Sequence, residues 1–154
     1  MKTRLFLLLS VSLLLSPALV AGEKAEWLTD YQEAVKLSKQ TGKPILANFT
    51  GSDWCGYCKK LQRSVFSTSD FKEWAESSVV LLELDFPKYK SQERKLMLQN
   101  RRLAQKYGIR GYPTILVIDS NGKPMGNLGY MPGGPDRWLN QAQKILDSNR
   151  VTGP

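Results

Sequence analysis

The sequence predicts an α/β fold in which a central mixed sheet of four to five strands is flanked by helices on both faces. Short apolar runs of strand length alternate with longer segments whose apolar residues recur every three or four positions, as in helices. Helical segments connect the first three strands, whereas a short Asn121-Gly122 turn precedes the fourth. Crossover helices and one hairpin together predict a sheet that is part parallel and part antiparallel.

The first 22 residues have the pattern of a targeting segment. Lys2 and Arg4 precede an apolar run of about 11 residues, and the small residues Ala21-Gly22 offer a cleavage point. An uncleaved membrane anchor is the alternative, but a spanning helix needs roughly 20 apolar residues. We therefore expect 1–22 to be a cleaved signal peptide and 23–154 to be a single exported, periplasmic domain.

A predicted helix and strand lead to the two cysteines. Residues 26–40 carry apolar side chains at helical spacing, and Gly42 and Pro44 end that helix. Residues 45–50 form a short, continuously apolar run, which predicts a buried strand. A second helix is predicted through residues 59–66, after the cysteines.

The rest of the chain is predicted to complete the sheet and its helical cover. The elements are a short helix, a strand, a long helix, two strands and a last helix, at 71–76, 79–85, 92–107, 115–119, 124–130 and 137–149. Pro124 and the glycines after it predict that the fourth strand lies at an edge of the sheet.

Cys55 and Cys58 are the only cysteines, and they lie three positions apart between the first strand and a helix. This spacing places both sulfurs on one face of a helical turn. The free N–H groups and the positive dipole end of that turn stabilise a thiolate on the first cysteine. The pattern therefore predicts thiol–disulfide chemistry.

Other uses of a cysteine pair fit this sequence less well. A structural disulfide is common in exported proteins, but a ring over two intervening residues removes little unfolded-state entropy. Zinc would need two further ligands, and the chain contains no histidine. The absence of histidine also excludes a Cys–His protease and a histidine-dependent copper carrier. We expect no metal and no cofactor beyond the redox-active Cys55–Cys58 disulfide.

The formal net charge is +8, from 22 basic and 14 acidic residues. Such a balance can indicate nucleic acid or an anionic membrane surface as a partner. The basic residues are scattered, however, with short clusters only at Lys59-Lys60 and Arg101-Arg102. We interpret the charge as an aid to solubility and expect no nucleic-acid partner.

The segment Trp54-Cys55-Gly56-Tyr57-Cys58-Lys59, the distant Gly111-Tyr112-Pro113-Thr114 and the strand order together resemble the thioredoxin family. The resemblance covers roughly residues 26–149. Residues 49–55 and Val65-Phe66-Ser67 are most similar to exported members related to the C-terminal thioredoxin-like domain of DsbD, and the cysteine tetrad also resembles the DsbH group. A thioredoxin fold and protein-disulfide oxidoreductase activity are implied.

The resemblance implies different roles for the two cysteines. Cys55 would be the exposed nucleophile that attacks a client disulfide and forms a mixed disulfide. Cys58, one turn into the helix and more buried, would resolve it by attacking the Cys55 sulfur.

The resemblance also assigns the residues that shape the site. Pro113 would follow a cis peptide bond, with the Tyr112 backbone facing the sulfurs and pairing with a client strand; an ordinary strand-entry turn is the alternative. Trp54 would shield the site and contact the substrate, with a core position as the alternative. Gly56 and Tyr57, between the cysteines, would help to set the redox potential.

Three further residues bear on proton transfer. Many thioredoxins carry a buried carboxylate on the strand before the site, and the matching position here is Asn48. An amide cannot act as a base, so Cys58 would lose its proton elsewhere, and Asp53 and Glu83 are candidate acceptors. Lys59-Lys60 either favour the thiolate or are solvated helix residues.

The leading hypothesis is an exported reductase of protein disulfides. The alternatives are a disulfide-forming oxidase, an isomerase with the same site, and a non-catalytic thioredoxin-fold binding module. The expected partners are exported clients with disulfides and an electron donor in the membrane or periplasm. A monomer is expected.

Overall fold

Residues 26–150, the part of the chain that the computed structural model describes, form a mixed sheet with helices on both faces. The predicted signal peptide, 1–22, lies outside these residues. The elements follow in chain order: α1 (Tyr31–Thr41), β1 (Ile45–Thr50), α2 (Gly56–Leu61) continued by a π-helical turn (Gln62–Phe66), α3 (Ser69–Ser78), β2 (Val80–Asp85), α4 (Arg94–Lys106), β3 (Thr114–Ile118), β4 (Pro124–Leu128) and α5 (Gly134–Arg150). Within residues 26–150, no helix has both the length and the apolar character needed to cross a membrane.

The strand order is β2-β1-β3-β4. β1 pairs in parallel with β2 and antiparallel with β3, and β3 pairs antiparallel with β4. The predicted mixed sheet and the edge position of the fourth strand are therefore confirmed. Beyond β2, Leu28 forms a single parallel bridge with Leu82, so the fifth member of the sheet is one residue long.

β1 lies in the interior of the sheet, and all six of its residues are buried. Its side chains alternate between two hydrophobic clusters because successive residues of a strand point to opposite faces. Leu46 joins the cluster under α2, the π-helical turn, α3 and α5, whereas Ile45, Ala47 and Phe49 join the cluster under α1 and α4. Burial on both faces explains why this strand reads as a continuous apolar run.

Aromatic side chains dominate the first of these clusters. Trp138 of α5 is fully buried and contacts the rings of Phe66, Phe71 and Trp74 at centroid distances of 5.4, 5.9 and 6.4 Å. Trp27 packs on Phe66 at 5.2 Å. Helix α5 is thereby attached to α3 and to the helical segment that follows the cysteines.

Helix α1 begins at Tyr31 and not at the predicted residue 26. Asp30 is its N-cap, and the Asp30 carboxylate accepts the backbone N–H groups of Gln32 and Glu33. The prediction extended the helix through Trp27, whose ring instead packs on Phe66 and Phe71, while its neighbour Leu28 pairs with β2. Tertiary contacts thus override the apolar spacing before Asp30.

Candidate active site

Cys55 and Cys58 form a disulfide at the start of α2, with their Cα atoms 5.2 Å apart. Cys55 is the N-cap residue of this helix, and its Sγ accepts the backbone N–H of Cys58 at 3.2 Å. A main-chain donor aimed at a sulfur favours the charged over the neutral form. A backbone donor is thus in place for the thiolate that the sequence predicts at Cys55.

The exposure of the two cysteines does not distinguish them. Cys55 is 6% exposed and Cys58 is 5% exposed. The expectation that Cys55 is the exposed member of the pair is therefore wrong for the disulfide form. The two differ in their backbone environment, because only Cys55 occupies the N-cap position.

Trp54 lies outside both core clusters of the described chain and is half-buried beside the site. Its indole N–H donates to the carbonyl of Phe86 at 2.8 Å. The edge of its ring meets Tyr112 at a centroid distance of 5.8 Å, and the Lys88 ammonium lies 3.9 Å from its ring centroid. Two predicted site residues, Trp54 and Tyr112, are thus brought into contact.

Asp53 holds the loop that follows β2 against the cysteine turn. Its carboxylate accepts the backbone N–H groups of Lys88, Tyr89 and Lys90 at 3.0, 2.8 and 2.9 Å. Desolvation alone would raise the pKa of Asp53, but these three donors hold the pKa below its ordinary value. This carboxylate therefore stays ionised and committed to the loop, which makes it a poor proton acceptor.

A second connection joins the same turn to the end of β2. The backbone N–H and the hydroxyl of Ser52 both donate to the Asp85 carboxylate, at 2.8 and 2.6 Å.

Lys59 donates to the carbonyl of Asp53 at 2.7 Å, and the Lys60 ammonium lies 5.3 Å from the ring centroid of Tyr57. The described contacts of both lysines are with these groups and not with a sulfur.

The Tyr112–Pro113 peptide bond is cis, as the resemblance implies. Pro113 lines an open depression together with Tyr57, Tyr130 and Pro132. Burial raises the pKa of Tyr112, whose ring packs between those of Trp54 and Phe86. The fold therefore brings the proline loop beside the cysteine tetrad.

The two residues between the cysteines face solvent. Gly56 begins α2 and is exposed, and a side chain built on it would meet no atom within 4 Å. Tyr57 is 59% exposed. Both positions are therefore accessible from solvent.

Asn48 and Glu83 are directly opposite each other in the β1–β2 register. Asn48 is 4% exposed, and its Oδ1 has no hydrogen-bond partner among the described residues. Glu83 is half-buried, and its pKa is raised by desolvation and by the charge of Asp85, against an opposing effect of Lys90. The Glu83 carboxyl, with its raised pKa, therefore lies next to Asn48, the position at which many thioredoxins carry a carboxylate.

Sequence reasoning missed four contributors to the site, which are Lys88, Tyr130, Pro132 and the anchoring role of Asp53. Each acts through a contact between residues far apart in the chain, such as the 35 positions between Asp53 and Lys88. No local pattern signals such contacts. Residues 26–150 contain no group of three or more Cys, Asp or Glu side chains placed to hold an ion.

The family model described as "Thioredoxin-like domain" matches residues 31–143. The chain belongs to this family. It is 35% identical over 127 residues to the disulfide bond reductase DsbH of Chlamydia pneumoniae, covering 82% of this chain and 76% of that protein. A solved DsbH oxidoreductase superposes with a TM-score of 0.77 at 33% identity, covering 90% of this chain and 95% of the other. The predicted thioredoxin fold and the resemblance to DsbH are confirmed.

Two longer relatives match over the same thioredoxin-like region. The thioredoxin-related protein DsbJ of Chlamydia pneumoniae is 31% identical over 134 residues, covering 84% of this chain. The thiol:disulfide interchange protein DsbD of Haemophilus ducreyi is 27% identical over 126 residues, covering 79% of this chain. The chain spans 38% of DsbJ and 20% of DsbD. It is thus homologous to disulfide oxidoreductases and carries a redox-type cysteine pair.

Proposed function

We propose that this thiol–disulfide oxidoreductase reduces disulfides of exported client proteins in the periplasm. The observation that carries the proposal is the Cys55–Cys58 disulfide at the start of α2, with a main-chain donor on the Cys55 sulfur. The reductive direction rests on the 35% identity to a protein named a disulfide bond reductase. The single exported domain, the cleaved signal peptide and the monomeric state belong to the same proposal.

The reaction transfers two electrons from the dithiol to the client. The Cys55 thiolate attacks one sulfur of the client disulfide, the client S–S bond breaks, and the released client thiolate takes a proton. The Cys58 thiol then gives its proton to a base and attacks the Cys55 Sγ. The mixed disulfide breaks, the second client thiolate leaves, and the Cys55–Cys58 disulfide forms. A dithiol donor in the membrane or periplasm regenerates the pair by the reverse exchange.

Glu83 is the proposed proton acceptor for Cys58. Leu46 of β1 and Leu81 of β2 belong to the cluster that also holds Leu61 of α2. Because strand side chains alternate with a period of two, Asn48 and Glu83 face the same side of the sheet as these leucines. Cys58 precedes Leu61 by three positions and shares its helix face. Cys58 and Glu83 are therefore on the same side of the sheet.

The role of Glu83 has its own kinetic test. Glu83→Gln should slow the release of a trapped client thiol by about 100-fold, the usual scale of general-base assistance, and flatten its pH dependence. Attack by Cys55 should change little. Equal release rates and pH profiles in the variant and the wild type would assign the proton to another acceptor.

Insulin reduction driven by dithiothreitol tests the enzymatic function. Wild-type protein should accelerate insulin precipitation and Cys55→Ser should not. Cys58→Ala should accumulate mixed disulfides with client proteins, whereas Cys55→Ala should not. The proposal fails if the wild type is inactive or if Cys55→Ser matches it.

Equilibration with glutathione tests the direction. A reductase should remain largely disulfide-bonded until the buffer is strongly reducing. A pair that is mostly dithiol in a mildly reducing buffer would instead be an oxidant, the alternative direction for the same site.

A further inference from the structure

The depression beside the cysteine tetrad is lined by Tyr57, Pro113, Tyr130 and Pro132, and we refer to these four residues as the aromatic groove. The rings of Tyr57 and Tyr130 lie 5.4 Å apart with 33° between their planes. Tyr57 is more than half exposed although it is a large aromatic residue. Tyrosine side chains in an open, apolar depression are typical of surfaces that bind polypeptide.

The wall of the groove formed by Tyr130 is held in place by the core. The fully buried Trp138 donates its indole N–H to the carbonyl of Gly129 at 3.1 Å. A Cβ built on Gly129 would lie 3.7 Å from the carbonyl oxygen of Pro113, so the end of β4 lies directly against the proline loop. Tyr130 therefore presents its ring from a fixed backbone, which limits the ordering entropy that binding costs.

Positive charge lies against one tyrosine of the groove and, separately, against the ring of Trp54. The ammonium of Lys60 lies 5.3 Å from the centroid of the Tyr57 ring, and that of Lys88 lies 3.9 Å from the centroid of the Trp54 ring. The carboxylate of Asp53, which precedes Trp54, is directed to backbone donors of the loop. An acidic segment would be complementary to these two ammonium groups.

From these contacts we propose that the aromatic groove selects clients in which an aromatic or long apolar residue adjoins the disulfide cysteine and acidic residues flank it. The aromatic side chain of the client would enter between Tyr57, Tyr130 and Pro113, and its flanking carboxylates would approach Lys60 and Lys88. This selectivity rests on the proposed oxidoreductase function, because the groove is useful only beside a reactive Cys55.

The test uses short peptides whose single cysteine is joined by a disulfide to thionitrobenzoate, which absorbs when it is released. The reduced protein converts each conjugate to free peptide thiol and free thionitrobenzoate while Cys55–Cys58 is oxidised. The peptides differ only in whether Phe or Ser adjoins the cysteine and whether Glu or Lys flanks it. The full-length mature protein is used.

Wild-type protein should react about 10-fold faster with the Phe peptide than with the Ser peptide, the effect of one well-packed contact residue. Tyr130→Ser should reduce this ratio to nearly 1, and Tyr57→Ser, at an exposed position, should do the same if Tyr130→Ser does not fold. Tyr89→Ser, at an 81% exposed tyrosine outside the groove, is the matched control and should keep the full ratio.

The charge component is read from the Glu and Lys peptides. The Glu peptide should react faster at low salt, and Lys60→Gln should reduce that advantage while Lys72→Gln, on exposed α3 surface, should not. Equal rates for Phe and Ser peptides, or a ratio that survives both tyrosine variants, would overturn the groove proposal. If the protein reduces neither the peptide conjugates nor free dithiobis(nitrobenzoate), the proposed function itself is overturned.

Discussion

Gly51 determines where the indole of Trp54 can lie. A Cβ built on Gly51 would come within 2.5 to 2.8 Å of three atoms of that ring, closer than real Cβ contacts. Its backbone carbonyl also accepts the N–H of Cys55 at 2.9 Å. The absence of a side chain at this position is therefore a condition for the Trp54–Phe86 hydrogen bond.

We expect Gly51→Ala to displace the indole and lengthen or break that hydrogen bond. Insulin reduction should fall, because the ring next to the cysteines loses its contacts with Tyr112 and Lys88. The Trp54 indole N–H resonance, assigned with Trp54→Phe, should shift toward the position of a solvent-exposed indole. Gly111→Ala, where a Cβ meets no atom within 4 Å, is the control. An unchanged resonance in Gly51→Ala would contradict the steric argument.

Glu83 gives the stability of the protein a particular pH dependence. Its folded-state pKa is raised above the ordinary 4.5, chiefly by desolvation. The protonated form is therefore favoured by folding, and the stability it contributes is complete below pH 4.5 and is lost as the pH rises through the folded-state pKa.

Glu83→Gln should consequently gain stability relative to the wild type as the pH rises. Urea unfolding at pH 4 and at pH 8 measures the difference in free energy of unfolding between the variant and the wild type. This difference should favour the variant more at pH 8 than at pH 4. Glu73→Gln, which removes the same charge from an exposed position on α3, sets the baseline. A difference that does not change with pH would mean that burial of Glu83 has no energetic consequence.

The individual site residues were predictable to different extents. The redox role of Cys55 and Cys58 was predicted from their spacing, whereas the cis bond before Pro113 was implied only by the resemblance to thioredoxins. The loop anchored by Asp53 and the pairing of Tyr57 with Tyr130 join distant segments. Only the folded chain brings such pairs together, so the sequence alone does not reveal them.

At the level of elements, α1 shows what ends and begins a helix. Asp30 caps its first turn through two hydrogen bonds from backbone N–H groups, and Gly42 at φ 72° ends it with a bond from its own N–H to the Ser38 carbonyl. Glycine is suited to this left-handed position. The C-terminal signal was visible in the sequence, whereas the N-terminal one was masked by the apolar residues before it.

Asp30→Ala should destabilise the protein by about 1 kcal/mol, because two backbone donors of the first turn lose their acceptor. Asp30→Ser, which retains an acceptor, should recover most of this loss. Urea unfolding at neutral pH measures both values. Equal losses in the two variants would show that the nearby Lys95, 3.5 Å from the carboxylate, matters more than the cap.

At the level of the whole molecule, the mixed character of the sheet was predicted from the connections between its strands. The helical crossover between β1 and β2 gives parallel pairing, and the Asn121-Gly122 turn joins β3 and β4 in a hairpin. The antiparallel pairing of β3 with β1, which places the proline loop beside the cysteines, has no signature in either strand alone. This pairing forms only when β3 packs against β1 in the folded chain.

Trp138 joins α5 and the end of β4 to α3 and to the helical segment that follows the cysteines. Its ring contacts three other aromatic rings, and its N–H supports the end of β4. We expect Trp138→Ala to cost about 3–5 kcal/mol, the range for removal of a fully buried large aromatic side chain. Urea unfolding with Tyr89→Ala as an exposed control measures this, and a loss below about 1 kcal/mol would contradict a central role for Trp138.

Leu28 has a consequence for how the sheet edge is protected. Its N–H donates to the Leu81 carbonyl at 3.0 Å, and its carbonyl accepts the Glu83 N–H at 2.8 Å, so it occupies part of the otherwise open edge of β2. Exposed strand edges pair readily with other chains. Loss of the residues just before α1 would uncover this edge and favour aggregation. The solubility of the folded domain therefore depends in part on a segment that adds only one residue to the sheet.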